Sequence, residues 1–158
     1  MALSPRTAQF AKALAPVFKV DGFTKTGCSW HKRCAELIQV FNIQHSQWGN
    51  QFYLNIGIYL TELGKETKPA EYRCHIRCRV EELLPGVNLR DLATLLDFDA
   101  SIDLSARYEQ VGALITRELL PWFSSNSTKA GVAATLKRLD YKGFFLGKGV
   151  RECLTHPV

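Results

Sequence analysis

The chain has 158 residues, 46% of them hydrophobic, with 20 basic and 15 acidic side chains for a formal charge of +5. That length and apolar share fit one globular domain with its own core, and no repeat, low-complexity tract or linker divides it. The mild basic excess permits an acidic partner without requiring one, and no apolar run approaches the ~20 residues of a membrane span. Five cysteines without secreted-type spacing, and Lys12 cutting the N-terminal apolar stretch, argue against export and membrane insertion. A reducing cytoplasm is the expected compartment.

Ser4-Pro5 predicts a helix start, with Ser4 as N-cap and Pro5 where its missing N–H costs nothing. Phe10, Leu14, Val17 and Phe18 then share one stripe, and Pro16 is expected to kink or fray the helix before Asp21-Gly22 ends it. From Phe23 to Arg33 the chain is rich in Thr, Lys and aromatics around Gly27, which predicts a short hairpin.

The stretch from Glu36 to Glu62 reads as the central hairpin, turning at Trp48-Gly49. Its second strand alternates Phe52, Leu54, Ile56, Ile58 and Leu60 with Gln51, Tyr53, Asn55, Gly57 and Tyr59. A turn with an even number of residues puts Ile43 opposite Leu54, Phe41 opposite Ile56 and Leu37 opposite Leu60. It also sets Asn42 beside Asn55, Gln44 beside Tyr53 and Ile38 beside Tyr59 on the other face. That second face carries amides and rings, and asparagine at a strand centre needs a reason.

A third patterned strand follows the polar loop GKETKPAE, with Cys74, Ile76, Cys78 and Val80 expected on one side and His75, Arg77, Arg79 and Glu81 on the other. Leu84-Pro85-Gly86 predicts a turn, and Asn88 a cap for a brief helix through Leu89, Leu92, Leu95 and Leu96. Leu104, Tyr108, Val111, Ile115, Leu119 and Trp122 step at the helical period, so the longest helix is expected over Asp103 to Phe123, fraying at Pro121. A last helix from Ser127 carries Val132, Leu136 and Leu139. Residues 1–140 then form one domain, and 141–158 an extended tail packed on it.

Several chemical motifs fail on inspection. Cys74 and Cys78 on one strand would sit ~13 Å apart at Cα, too far for a zinc pair, so buried structural cysteine is the better reading. Asp97, Asp99, Ser101 and Asp103 have calcium-loop spacing, but Ile102 stands where the turn needs glycine and Tyr108 where a bidentate glutamate belongs. Turn and N-cap chemistry for the long helix accounts for them instead. GFFLGKG is one residue short of a phosphate loop and has no hydroxyl after Lys148, and Ser29 near His31 has no orienting third group. No metal or cofactor is expected.

The run FNIQHSQWGNQFYLNIG, with the helix and Gly22-Phe23 before it and CHIRCRVEEL and LLPWF after it, resembles the bacterial family called domain of unknown function 4304 over about residues 8 to 125. Gln44, Ser46, Asn55, His75 and Arg77 carry the likeness most clearly. The resemblance implies an α+β domain with an antiparallel sheet and no established activity, so it supplies no catalytic residue.

The expectation is an α+β fold: an antiparallel meander of about four to six strands, with the N-terminal and long helices on one face. The candidate binding surface comprises Asn42, Gln44, Ser46, Trp48, Tyr53, Asn55, Tyr59, His75, Arg77 and Arg79. A non-enzymatic domain that binds a protein partner, in a regulatory or toxin-neutralising role, is the leading expectation. A nucleic-acid-binding protein is the alternative, although the basic residues form no dense run. A small-ligand enzyme using His75 and Arg77 ranks last, because no carboxylate is placed to orient the histidine.

Overall fold

The computed structural model describes residues 2–83 and 89–155. Its frame is β1 (Thr24–Thr26), β2 (Ser29–Arg33), β3 (Leu37–His45), β4 (Phe52–Leu60), β5 (Ile76–Arg79) and β6 (Phe145–Leu146). Each strand is antiparallel to the next, giving a six-stranded meander in chain order. The predicted hairpin register holds pair for pair from Leu37↔Leu60 to Gln44↔Tyr53, because loop 46–51 has an even number of residues.

Helix α1 (Pro5–Val20) starts as expected, with Ser4 Oγ accepting from the Thr7 N–H at 3.2 Å. It continues through Pro16 to Val20 before ending at Asp21 and Gly22, the latter at φ +85°. Pro16 and Lys12 both lie on the solvent side, so the carbonyl that loses its intrahelical donor is left to water. Buried Leu14 and Phe18 hold the last turn from the other side.

The helices α2 (Leu89–Leu96), α3 (Leu104–Leu114), α4 (Leu120–Ser125), α5 (Lys129–Arg138) and α6 (Val150–Thr155) follow. The expected turn at Leu84-Pro85-Gly86 and the cap at Asn88 fall outside the described residues. Asp103 caps α3 through the Ala106 N–H, and Asp97 Oδ1 accepts from the Asp99 N–H, the turn and cap chemistry anticipated for this acidic run.

A π-helical segment, Ile115–Leu119, joins α3 to α4, so one helical rod extends from Leu104 to Ser125. The fraying expected at Pro121 does not occur. Widening the preceding turn shifts the hydrogen-bond pattern, with the Leu120 N–H reaching the Ile115 carbonyl, and Pro121 enters in the first turn of α4, where no N–H is needed.

Helix α1 and this rod pack on the same face of the sheet. Phe10, Leu14 and Phe18 meet Phe41, Ile43, Phe52, Leu54 and Ile56 from the strands and Val111, Ile115, Leu119 and Phe123 from the rod. A smaller cluster joins Leu37, Ile58, Leu60 and Ile76 to Val132 and Leu136 of α5 and Val150 and Cys153 of α6. The described part of the C-terminal stretch, 141–155, therefore supplies a strand and a helix as well as irregular chain.

Candidate binding surface

Strands β2 to β5 turn their alternate residues away from the helices, and the register sets Ser29, Asn42, Asn55 and Arg79 in one row across them. The amides close on one another. Asn55 Nδ2 donates to Gln44 Oε1 at 2.9 Å and to Asn42 Oδ1 at 3.3 Å, while Asn42 Nδ2 donates to Ser29 Oγ at 2.9 Å. This network satisfies the buried Asn55 and explains how asparagines occupy strand centres. Beside it the Arg79 guanidinium lies 3.9 Å from the centre of the Tyr53 ring. Gln44 and Arg79 are exposed, and Asn42 and Tyr53 half-buried.

The other half of this face is covered, and the cover is the connection between β4 and β5. Ile38, Val40, Tyr59 and Cys74 form a small apolar cluster beneath it. A Cβ at Gly57 would fall 2.6 Å from Cys74 Sγ, so the missing side chain is what lets the connection seat. Polar contacts on the sheet side help fasten it: the Glu66 N–H to Tyr59 Oη at 3.1 Å, His31 Nε2 to the Pro69 carbonyl at 2.7 Å, and Arg77 to both carboxylate oxygens of Glu71 at 2.9 and 3.2 Å.

This geometry corrects the alternation expected for the third strand. The regular strand begins only at Ile76, after a 3-10 turn at Glu71–Arg73, and Val80 opens a second 3-10 turn. Ile76, Cys78 and Val80 face the helices, but Cys74 packs on the opposite face. Burial pushes the Cys74 and Cys78 thiols far up, so they stay protonated and structural. No group of three or more His, Cys, Asp or Glu among the described residues is arranged to hold a metal ion.

The ten predicted surface residues thus separate. Asn42, Gln44, Tyr53, Asn55 and Arg79 come together on the open half. Ser46 and Trp48 belong to the loop at the same end of the hairpin, where Ser46 Oγ accepts from the Trp48 N–H at 3.1 Å. That loop is fastened at its base by the Ser46 N–H to the Gln51 carbonyl and on the helical side by the Phe98 N–H to the Asn50 carbonyl. Trp48 nevertheless stands 94% exposed. Tyr59, His75 and Arg77 lie under or beside the cover instead.

His75 borders a cleft with Tyr59, Leu63, Lys65, Glu66 and Arg73. Its Nδ1 accepts the Leu60 N–H at 2.9 Å, which puts the proton of the neutral ring on Nε2. Burial holds the imidazole below the usual histidine range, against an opposing pull from Glu66. The unfolded chain therefore binds the proton more readily below about pH 6.5. Stability from this contact is full above that value and falls as pH drops through the window beneath it. In urea unfolding, wild type should lose more stability between pH 7.5 and 5.5 than His75→Asn, and equal losses would refute the assignment.

Sequence reasoning missed Ser29 as part of the amide row, Glu71 as the partner of Arg77, and the exposed rings of Tyr72 and Phe145. Counting the first hairpin back from Asn42 would have found Ser29. Phe145 sits on the two-residue β6, with Arg77 5.7 Å from its ring centre, and no periodicity marks so short a strand.

A six-stranded antiparallel meander with its helical layer on one face, and an amide row on the other, defines an α+β domain. Residues 14–125 match the family model described as Domain of unknown function (DUF4304), and the chain belongs to that family. The match ends where α4 ends, so α5, β6 and α6 lie beyond it. No curated protein and no solved structure matches the chain.

Proposed function

We propose that the chain is a non-catalytic binding domain that engages a protein partner through the Trp48 loop and the open half of the second sheet face. Trp48 carries the reading: a tryptophan 94% in water, on a loop whose backbone is hydrogen-bonded into place, contributes no burial to this domain. Tryptophan, tyrosine and arginine dominate the energetics of protein interfaces, and a pre-ordered loop loses little entropy on docking. Tyr53 and Arg79 supply the other two on the same hairpin and its neighbour.

The arrangement around His75 and Arg77 favours this reading over catalysis. The guanidinium fork of Arg77 is taken by Glu71, and His75 Nδ1 by a backbone N–H. No described helix is long and apolar enough to cross a membrane. All five cysteines are free thiols, which supports placing the domain in the reducing cytoplasm.

Affinity capture of tagged protein from its native lysate, after nuclease treatment and across a salt series, tests the reading. One stoichiometric protein surviving moderate salt is expected. Retention of nucleic acid that falls steeply as salt rises would overturn it in favour of an electrostatic nucleic-acid binder.

A further inference from the structure

At the far end of the second face from Gln44, the β4–β5 connection stands clear of the first hairpin and leaves a cleft of about 420 Å³. Its walls are Gly22, Thr24, Lys32 and Arg33 on one side and Thr67 and Lys68 on the other, with His31 and Ile38 also lining it. This volume lies within the range of small-ligand sites. No carboxylate is among the lining residues.

The cations differ in how they are held. Lys32 reaches Asp21 at 3.4 Å and lies over the Phe23 ring, so its position is fixed but its charge is partly balanced. Arg33 and Lys68 are exposed and have no ion-pair or hydrogen-bond partner among the described residues. The two walls are tied together by the bond from His31 Nε2 to the Pro69 carbonyl, so their separation does not depend on a ligand. Because a carbonyl can only accept, Nε2 carries the proton.

A concave site with a free guanidinium, a free ammonium and the Thr67 hydroxyl suits a multiply charged oxyanion. Arginine forks match the paired oxygens of phosphate, lysine adds a point charge, and a threonine hydroxyl donates to a remaining oxygen. We propose that this cleft binds a small phosphate-bearing anion through Arg33 and Lys68, with the Thr67 hydroxyl as a further donor; the Lys32 ammonium stays with Asp21 on the helical side, and the Thr24 hydroxyl, which donates to the His31 carbonyl at 3.4 Å, serves as wall. The cleft is separate from the Trp48 surface and stands independently of the partner-binding reading.

The test is a titration of ¹⁵N-labelled full chain with pyrophosphate at constant ionic strength, chloride serving as the balancing anion and a single-stranded oligonucleotide as a second probe. Saturable shifts are expected at Thr24, Arg33, Thr67 and Lys68. Arg33→Gln with Lys68→Gln should weaken pyrophosphate binding by at least about tenfold, while Lys137→Gln with Arg138→Gln on α5 should leave it within about twofold. Non-saturating shifts spread over many basic residues, or equal losses in both double variants, would overturn the site. Oligonucleotide binding tighter than pyrophosphate, with shifts reaching beyond the cleft, would overturn the small-anion assignment.

Discussion

Replacing Arg107 with methionine should lower stability by about 3–4 kcal/mol, as read by denaturant unfolding. This arginine is 1% exposed, yet it lies on α3 among the core side chains. Its Nη1 donates to the carbonyls of Thr94 at 3.1 Å and Leu95, and its Nη2 to that of Ala100 at 2.9 Å. Thr94 and Leu95 are in the last turn of α2, where carbonyls lack intrahelical donors. Arg107 thus caps one helix from another and fixes the 97–103 turn, while its guanidinium lies 4.4 Å from the Phe98 ring centre. Methionine fills similar space but removes all three donors: the Leu95 carbonyl loses its side-chain partner, and those of Thr94 and Ala100 keep only the Asp97 and Ile102 N–H groups. Lysine, with a charge but no fork, should recover part of the loss. A cost below about 1 kcal/mol for the methionine variant would contradict this role.

Gly57→Ala should be costly for a different reason. Gly57 does not adopt a positive φ, so conformational freedom is not what it supplies. Space is. An added Cβ would sit 2.6 Å from Cys74 Sγ and 2.8 Å from Cys74 Cβ, so both the sulfur and the carbon behind it must move. Forcing that shift costs about 1–3 kcal/mol and should lift the connection from the second face, making Lys65 and Arg73 faster sites of tryptic cleavage, whereas Lys68 is protected by the Pro69 that follows it. Combining Gly57→Ala with Cys74→Gly should restore part of the stability lost in the single variant, a coupling expected of residues in contact. Strict additivity would mean that the cover does not seat through this notch.

The hairpin was legible because two strands with period-two patterns and an even loop admit one register that pairs apolar with apolar. Asn42, Gln44, Tyr53 and Asn55 met on one face for that reason. The cover was not legible, since loop 61–75 has no periodicity, yet a glycine inside an otherwise bulky strand is a mark of close backbone approach, and Gly57 was such a mark. Arg107 was a second overlooked sign. It falls on the helical stripe with Val111 and Ile115, and the structure buries it while leaving Leu104, placed in that stripe by pattern, exposed.

Both prolines read as helix breakers were overruled by context. Solvent accepts the carbonyl freed by Pro16, and a π-turn makes room before Pro121. Local rules weigh one residue's preference, whereas packing of Phe18 on one helix and Phe123 on the other decides whether the helix continues.

The most direct test of the proposed interface repeats the affinity capture with Trp48→Ala, Tyr53→Ala and Arg79→Ala combined. Arg79 is chosen over Arg77 because Arg77 is held by the buried Glu71 and its loss would disturb the fold. The account predicts that the protein partner retained by wild type disappears, while the unfolding midpoint stays within about 2 °C of wild type. Retention of that partner at the wild-type level by the equally stable triple variant would contradict it.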